Sequence, residues 1–129
     1  MAGKLEAFAK KHGIEYFLFN FTDLRGVQRS KLVPASAAPA MEKGGAGFAG
    51  FAAYLDMTPA FPDMFAVPDA SSLMQLPWKP EVAWVAGDLV MEGAPVAQAP
   101  RVVLKRLLNA AMKKGLRLKT GVEAEYHLI

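Results

Sequence analysis

Hydrophobic and polar positions in the first third of the chain predict a helix followed by a hairpin. Apolar residues recur at helical spacing in residues 2–12, and Gly13 follows as a C-terminal stop. One segment, residues 14–21, is rich in aromatic and β-branched side chains, and a second, residues 27–33, alternates in polarity. Turn-forming residues 23–26 separate the two segments. This pattern is typical of two antiparallel strands joined by a tight turn.

The pattern further along predicts a short helix, a loop region, a second hairpin and a longer helix. Residues 34–44 favour an alanine-rich helix, whereas prolines interrupt any periodicity in residues 44–80, where we expect an ordered but irregular loop region. Residues 82–97 alternate around the turn Glu92-Gly93 and indicate a hairpin. Residues 100–114 have helical spacing, with proline in the first turn and glycine directly after the last.

The final nine residues alternate strictly and predict a strand. Glu123, Glu125 and His127 would share one face of it, and residues two apart on a strand lie about 6.5–7 Å apart. At that separation two carboxylates can each hold one of a pair of divalent ions or share one through water. The alternative is a solvated outer face. A strand at residue 129 with no following partner would leave an open edge, so we expect the chain to be part of a longer protein.

This order of elements predicts an α+β fold of the β-grasp kind. The chain has 129 residues, of which 53% are hydrophobic and 21% charged, which indicates a folded protein rather than a disordered one. Cysteine is absent, and its absence excludes a disulfide framework, a thiolate metal site and a cysteine nucleophile.

Charge and hydropathy argue against two classes of partner. The net charge is +3, but the basic residues are scattered, so we expect no nucleic-acid partner. The longest stretch without a charged residue has twelve residues, 44–55, and a membrane-spanning helix needs about 20. The charged N-terminus does not resemble a secretory signal, so we expect a cytoplasmic location.

Five isolated residues in the predicted loops and hairpins are candidates for chemistry, each with a simpler structural interpretation. A loop aspartate usually caps a turn, and we interpret Asp56, Asp63, Asp69 and Asp88 in that way. Trp78 lies between prolines, where stacking on a ligand is possible, but we interpret it as a packing anchor.

Four motifs in order resemble the glutamine synthetase family across nearly the whole chain. Their order and compatible spacing make the resemblance more specific than any single motif. The motifs are Asp23, Gly26, Arg29, Lys31, Val33 and Pro34, which match D-x-x-G-x-x-R-x-K-x-V-P; Pro68-Asp69 with Leu76-Pro77-Trp78; the helix opening at Pro100; and Gly121-x-Glu123-x-Glu125, which matches G-x-E-x-E.

The resemblance implies a β-grasp domain over residues 1–97 and the start of a larger catalytic domain over residues 98–129. It implies that Glu123 and Glu125 bind Mg²⁺ or Mn²⁺ in an enzyme that uses ATP, glutamate and ammonia or a small alkylamine. Family members assemble as homo-oligomeric rings, commonly double-ring dodecamers. The other ATP, metal and glutamate ligands would lie beyond Ile129, so we expect residues 1–129 alone to be inactive.

One departure from the family pattern concerns the amine acceptor. Ammonia-using members carry F-D-G-S-S on a loop that reaches the neighbouring subunit's site, where the aspartate binds and deprotonates ammonium. This chain has Phe48, Ala49, Gly50, Phe51 and Ala52 there, so Ala49 replaces the aspartate and the catalytic residue is unknown.

We expect four residues to line the amine pocket: Ala49, Gly50, Phe51 and Ala52. Their apolar surface favours a methyl group over a hydrated cation. The composition is similar to the type III GlnT-like and γ-glutamylmethylamide synthetase branch, and methylamine or another small alkylamine is the hypothesis for the acceptor. The alternative is a stand-alone β-grasp module with a binding or regulatory role and no catalysis.

Overall fold

The computed structural model describes residues 3–129, which contain three helices and seven strands. The strands form one mixed sheet, and the helices pack against it. Three short 3₁₀ turns lie between them, at Ala35–Ala37, Gly50–Ala53 and Ala70–Ser72. The elements are α1 (Lys4–His12), β1 (Tyr16–Thr22), β2 (Gln28–Pro34), α2 (Ala38–Gly44), β3 (Ala46–Phe48), β4 (Met64–Pro68), β5 (Met74–Leu76), β6 (Lys79–Met91), β7 (Ala94–Pro95) and α3 (Pro100–Met112).

The long strand β6 organises the sheet, whose order is β2-β1-β6-β4-β3. Its first half pairs in parallel with β1, from Tyr16 opposite Val82 to Asn20 opposite Ala86, and its second half pairs antiparallel with β4. The short strands β5 and β7 also pair with β6. The expected α+β class is therefore observed, with helices and a mixed sheet in one unit.

Two apolar clusters lie on the sheet, and both use the buried face of β1. Phe17 and Phe19 are fully buried beneath α1 and α2, with Leu5 as the buried residue of α1. Phe21 continues the same alternation into the second cluster, where it packs with Leu55 and with residues of β4 and β6. The period-2 spacing of these phenylalanines is the reason that one face of β1 holds the core.

Both predicted hairpins are confirmed. Strands β1 and β2 pair antiparallel from Tyr16 opposite Pro34 to Thr22 opposite Gln28. Strands β6 and β7 meet across Glu92 and Gly93, which have φ values of 50° and 79°. Positive φ at both central residues is what a type I′ turn requires, and that turn matches the twist of the strands.

The first helix is confirmed over Lys4–His12; Ala2, where the prediction begins, lies outside the described residues. Gly13 ends the helix in the left-handed conformation, with φ 67°. The opposite end is capped from α2, because the carboxylate of Glu42 accepts hydrogen bonds from the backbone N–H groups of Lys4 (2.7 Å) and Leu5 (3.3 Å). The helices predicted over residues 34–44 and 100–114 are also present.

The prediction of an irregular loop over residues 44–80 is wrong in part, because β3, β4, β5 and the start of β6 lie there. These strands are short, and β4 pairs with β3 and with β6, which is about 20 residues away in the sequence. Local periodicity does not record such distant pairing. Pro68 is tolerated because β3 does not extend past Ala66, so β4 is an edge strand at Pro68.

The predicted strand over residues 121–129 is also wrong. Residues 116–129 have no regular secondary structure, and all of them are exposed, including Val122 at 96%. A strand needs a hydrogen-bonded neighbour, and within residues 3–129 no segment pairs with this one. Across the same described residues, no helix combines the length and the apolar character needed to cross a bilayer.

Candidate functional site

Residues 49–54, called loop 49–54 below, follow β3 and contain the four residues that the sequence singles out for the amine pocket. A 3₁₀ turn at Gly50–Ala53 begins the loop, and the N–H of Ala52 donates to the carbonyl of Ala49 at 3.2 Å. Gly50 and Ala53 are buried, whereas Phe51 is 52% exposed. The small residues let the loop pack closely, and Phe51 extends towards solvent.

Loop 49–54 has no carboxylate, and residues 46–55 contain no acidic residue at all. The first acidic residue after the loop is Asp56, which is exposed and has φ 57°. The surface that the loop offers is therefore apolar, and a cation would find no anionic partner within the loop itself.

The N-terminal side of the loop contacts strand β2. The ammonium group of Lys31 donates a hydrogen bond to the carbonyl of Gly47 and lies 5.0 Å from the centre of the Phe48 ring. The same ring packs edge-on against Phe21, with centroids 4.9 Å apart and an interplanar angle of 84°. Residue 48 is thus fixed between the hairpin and the core.

The C-terminal side of the loop contacts the turn of the same hairpin. The guanidinium groups of Arg25 and Arg29 lie over the Tyr54 ring, 4.0 Å and 5.0 Å from its centre. The carbonyl of Tyr54 accepts a hydrogen bond from the N–H of Leu24 at 3.3 Å. Tyr54 has φ 48° and ψ 51°, a left-handed conformation that a non-glycine residue adopts only when its surroundings hold it there.

The buried carboxylate of Asp23 organises this turn. One oxygen accepts from the backbone N–H groups of Arg25 (2.9 Å) and Val27 (3.0 Å), and the other accepts from Arg29 Nε (2.8 Å). Burial alone would raise the pKa of Asp23, but these hydrogen bonds and the Arg29 charge outweigh it and hold the pKa below its ordinary value of 3.8. Asp23 therefore stays ionised and fixes the Arg29 side chain.

A second cluster of charges attaches α3 to the sheet. Arg101 pairs with both Asp69 and Asp88, with 2.8 Å between Arg101 Nε and Asp88 Oδ1. Lys105, one turn further along the helix, pairs with the same two carboxylates and lies 3.1 Å from Asp69 Oδ2. The arrangement joins α3 to the end of β4 and to β6, so its role is to orient the helix.

The pKa values in this cluster follow from its geometry. The Ser71 hydroxyl donates to Asp69 at 2.6 Å, and together with Lys105 it holds the pKa of Asp69 well below its ordinary value, against the opposing effect of burial. Partial burial would lower the pKa of Lys105, but hydrogen bonds from Lys105 to Asp88 and Asp69 raise it. Asp69 also caps the 3₁₀ turn that follows it, as the sequence predicts for a loop aspartate. The same prediction is wrong for Asp88, which lies within β6 and pairs with Arg101 and Lys105.

The expected metal ligands Glu123 and Glu125 lie in the exposed segment after α3. Their oxygen donors suit a hard divalent cation such as Mg²⁺ or Mn²⁺. Within residues 3–129, however, no group of three or more potential ligands among His, Cys, Asp and Glu comes together. The donor chemistry fits a divalent ion, but this part of the chain does not by itself assemble a complete site.

Sequence reasoning missed Arg25 and Tyr54, and it misjudged Trp78. The Trp78 side chain is 78% exposed, so the interpretation as a packing anchor is wrong. Tyr54 contacts two arginines that lie 29 and 25 positions before it in the sequence. No local sequence pattern indicates a contact between residues so far apart. The sequence signal that did point here is the Asp23, Arg29 and Lys31 motif, whose side chains all lie around the loop's attachment.

Comparison with known proteins gives close relatives. No protein-family model matches the chain. The chain is 66% identical over 125 residues to a glutamine synthetase of Rhizobium leguminosarum bv. phaseoli, covering 97% of the chain and 29% of that protein. It is 39% identical over 126 residues to a glutamate–methylamine ligase of Methyloversatilis universalis, covering 96% of the chain and 28% of that protein.

A solved complex of GmaS with ADP resembles the fold, with a TM-score of 0.83 and 58% identity over 85% of this chain and 26% of that one. The expected fold class and family resemblance are thereby confirmed. The chain spans less than a third of the length of these relatives.

Proposed function

Because the chain belongs to the glutamine synthetase family, we propose that the native protein carrying it is an ATP-dependent glutamate–amine ligase. In the reaction that the family resemblance implies, the glutamate γ-carboxylate attacks the terminal phosphorus of ATP, which gives γ-glutamyl phosphate and ADP. An amine nitrogen then attacks the acyl carbon, phosphate leaves, and the nitrogen loses a proton. The product is a γ-glutamyl amide.

The acceptor in this proposal is methylamine or another small alkylamine, with ammonia as a competing substrate. The observation that carries it is loop 49–54, which is apolar and has Ala49 where ammonia-using members have an aspartate. The chain's similarity to a glutamate–methylamine ligase supports the same acceptor. An apolar pocket favours one extra methyl group by about 10-fold to 200-fold in the specificity constant.

The proposed roles of the chain's own residues follow from their positions. Ala49, Gly50, Phe51 and Ala52 form one wall of the amine pocket and exclude water from it. Glu123 and Glu125 are two of the ligands for Mg²⁺ or Mn²⁺, which when bound neutralises charge on the phosphoryl oxygens. The remaining ligands come from outside residues 3–129.

The proposal includes a division of the chain and an assembly. Residues 1–97 form the β-grasp domain and residues 98–129 begin the catalytic domain, with α3 oriented by its ion pairs to Asp69 and Asp88. The half-exposed Phe51 at the tip of loop 49–54 is suited to reach a neighbouring subunit's site in a homo-oligomeric ring. The family resemblance favours a double-ring dodecamer in the cytoplasm.

The test places the missing carboxylate back into the loop. In the native protein, we expect Ala49→Asp to shift the ratio of specificity constants towards ammonia by about tenfold, because a charge-assisted hydrogen bond to the cation returns. Ala60→Asp, at an exposed alanine outside the loop, is the matched control and should leave the ratio unchanged. Equal shifts from the two variants would reject a specific role for position 49.

A further inference from the structure

Both ends of loop 49–54 are attached to the same hairpin, β1–β2, through cationic side chains. Before the loop, Lys31 contacts the Gly47 carbonyl and the Phe48 ring. At its last residue, Arg25 and Arg29 contact the Tyr54 ring. The loop is therefore attached on both sides to one element. Between the two attachments, Phe51 and Ala52 are exposed to solvent, whereas Gly50 and Ala53 are buried.

The second attachment, at Tyr54, is rigid because the buried carboxylate of Asp23 holds one of its arginines. The Asp23 side chain is fully buried, and two nitrogens of Arg29 donate to one of its oxygens, each at 2.8 Å. Arg29 is thus held in one orientation against the Tyr54 ring. Arg25 extends from the same turn, and its backbone N–H is bonded to the same carboxylate. A movement of Tyr54 would break contacts with both arginines at once.

The backbone of Tyr54 is in a strained conformation, which these contacts stabilise. Its left-handed φ of 48° is unfavourable for a side chain with a Cβ, and the Leu24 N–H bonds its carbonyl in that conformation. In the 3₁₀ turn directly before it, the N–H of Ala52 donates to the carbonyl of Ala49 at 3.2 Å.

We propose that Tyr54 is a positioning residue, stacked on Arg25 and Arg29, which together with Lys31 fixes loop 49–54 and thereby sets the size of amine that the pocket accepts. The part concerning the amine rests on the proposed function. The part concerning the loop's position rests only on the contacts with the hairpin. Neither Tyr54 nor the arginines need touch the reacting atoms.

The first experiment measures hydrogen exchange at the Ala52 amide in the native protein, because this amide donates to the Ala49 carbonyl within the loop. We expect Tyr54→Leu to speed exchange about fivefold, because both cation–ring contacts are lost, and Tyr54→Phe to stay within about twofold of wild type, because the ring remains. Phe61→Leu, at an equally half-exposed aromatic residue outside the loop, is the control and should change nothing there.

A milder variant tests the same positioning role in case Tyr54→Leu does not fold. Arg25 is exposed, so Arg25→Gln removes one of the two stacked cations and should give a smaller increase in exchange than Tyr54→Leu. Arg106→Gln, at an exposed arginine of α3, is its control. If Tyr54→Leu and Arg25→Gln both leave Ala52 exchange at the wild-type rate, the positioning role is overturned.

The second experiment measures specificity constants for methylamine and ammonia in the same variants. We expect Tyr54→Leu to change their ratio about fivefold and Tyr54→Phe to restore it, whereas a purely structural role would lower both constants in parallel. Faster exchange with an unchanged ratio would overturn the acceptor part alone. A wild-type protein that makes no γ-glutamyl amide would instead reject the proposed function and with it the acceptor part, while the exchange result still decides the positioning part.

Discussion

We expect two carboxylates that the fold keeps ionised, Asp23 and Asp69, to contribute to the response of the domain to acid. The pKa of each is held below its ordinary value of 3.8, Asp23 by hydrogen bonds that outweigh its burial and Asp69 by Ser71 and Lys105. A group whose pKa is lower in the folded state contributes stability in full above its unfolded value, and the contribution is lost as pH falls. We therefore expect the free energy of unfolding to decrease steadily as pH falls below about 4.

Urea denaturation between pH 2.5 and pH 6 checks this expectation on wild type and two variants. Asp69→Asn removes the ion pairs at every pH, so its stability should depend less on pH in the acid range than that of wild type. Asp63→Asn, at an exposed aspartate, should follow the wild-type curve. A variant at Asp69 with the full wild-type slope would show that this carboxylate does not contribute to the acid response.

At the residue scale, the sequence predicted the residues whose partners are close along the chain. Asp23 lies in a turn that the pattern predicts, and its hydrogen-bond partners Arg25, Val27 and Arg29 follow within six residues. The contact of Tyr54 with the same turn spans 25 residues or more and depends on a positive φ that no local pattern encodes. The exposure of Trp78 likewise depends on what the fold places beside it.

At the scale of elements, the predictions held where local spacing decides the structure. The helices α1 and α3 have an apolar stripe and a glycine stop, and both hairpins have tight turns that bring adjacent strands together. The parallel pairing of β1 with β6 joins segments about 65 residues apart, and a pattern within one strand does not select its partner. The strand expected at residues 121–129 was wrong for the same reason, since alternation alone supplies no neighbour.

The junction between α2 and β3 provides a test of element packing. Gly45 has φ 76° and ψ 176°, a conformation that is essentially restricted to glycine, and an added Cβ would lie 2.7 Å from the Ala66 carbonyl oxygen. We expect Gly45→Ala to lower the free energy of unfolding by about 1–3 kcal/mol or more, as measured by urea denaturation. The loss should be accompanied by a lower thermal midpoint.

The neighbouring glycine is the matched control. Gly44 ends α2, and a Cβ there would meet no atom within 4 Å. Gly44→Ala should be neutral or stabilising by up to about 1 kcal/mol, since alanine has the higher helix propensity. Equal effects from the two substitutions would contradict the backbone conformation at Gly45.

For the whole molecule, the proposal assigns to the described residues one wall of the acceptor pocket and two metal ligands, Glu123 and Glu125, but not a complete site. Residues 3–129 bring together no group of three metal-binding side chains. We therefore expect purified residues 1–129, given glutamate, ATP, divalent metal and methylamine, to form no γ-glutamyl amide above background. Chromatography of the product mixture checks this, and measurable amide formation would mean that residues 1–129 hold the site by themselves.

The central claim is that an apolar loop 49–54 adapts a glutamate–amine ligase to a small alkylamine. It is tested in the native protein. The most direct measurement is the ratio of kcat/KM for methylamine to that for ammonia, with saturating glutamate and ATP. We expect methylamine to be preferred by about 10-fold or more, as a methyl-sized apolar pocket allows. A clear preference for ammonia would contradict the account of loop 49–54.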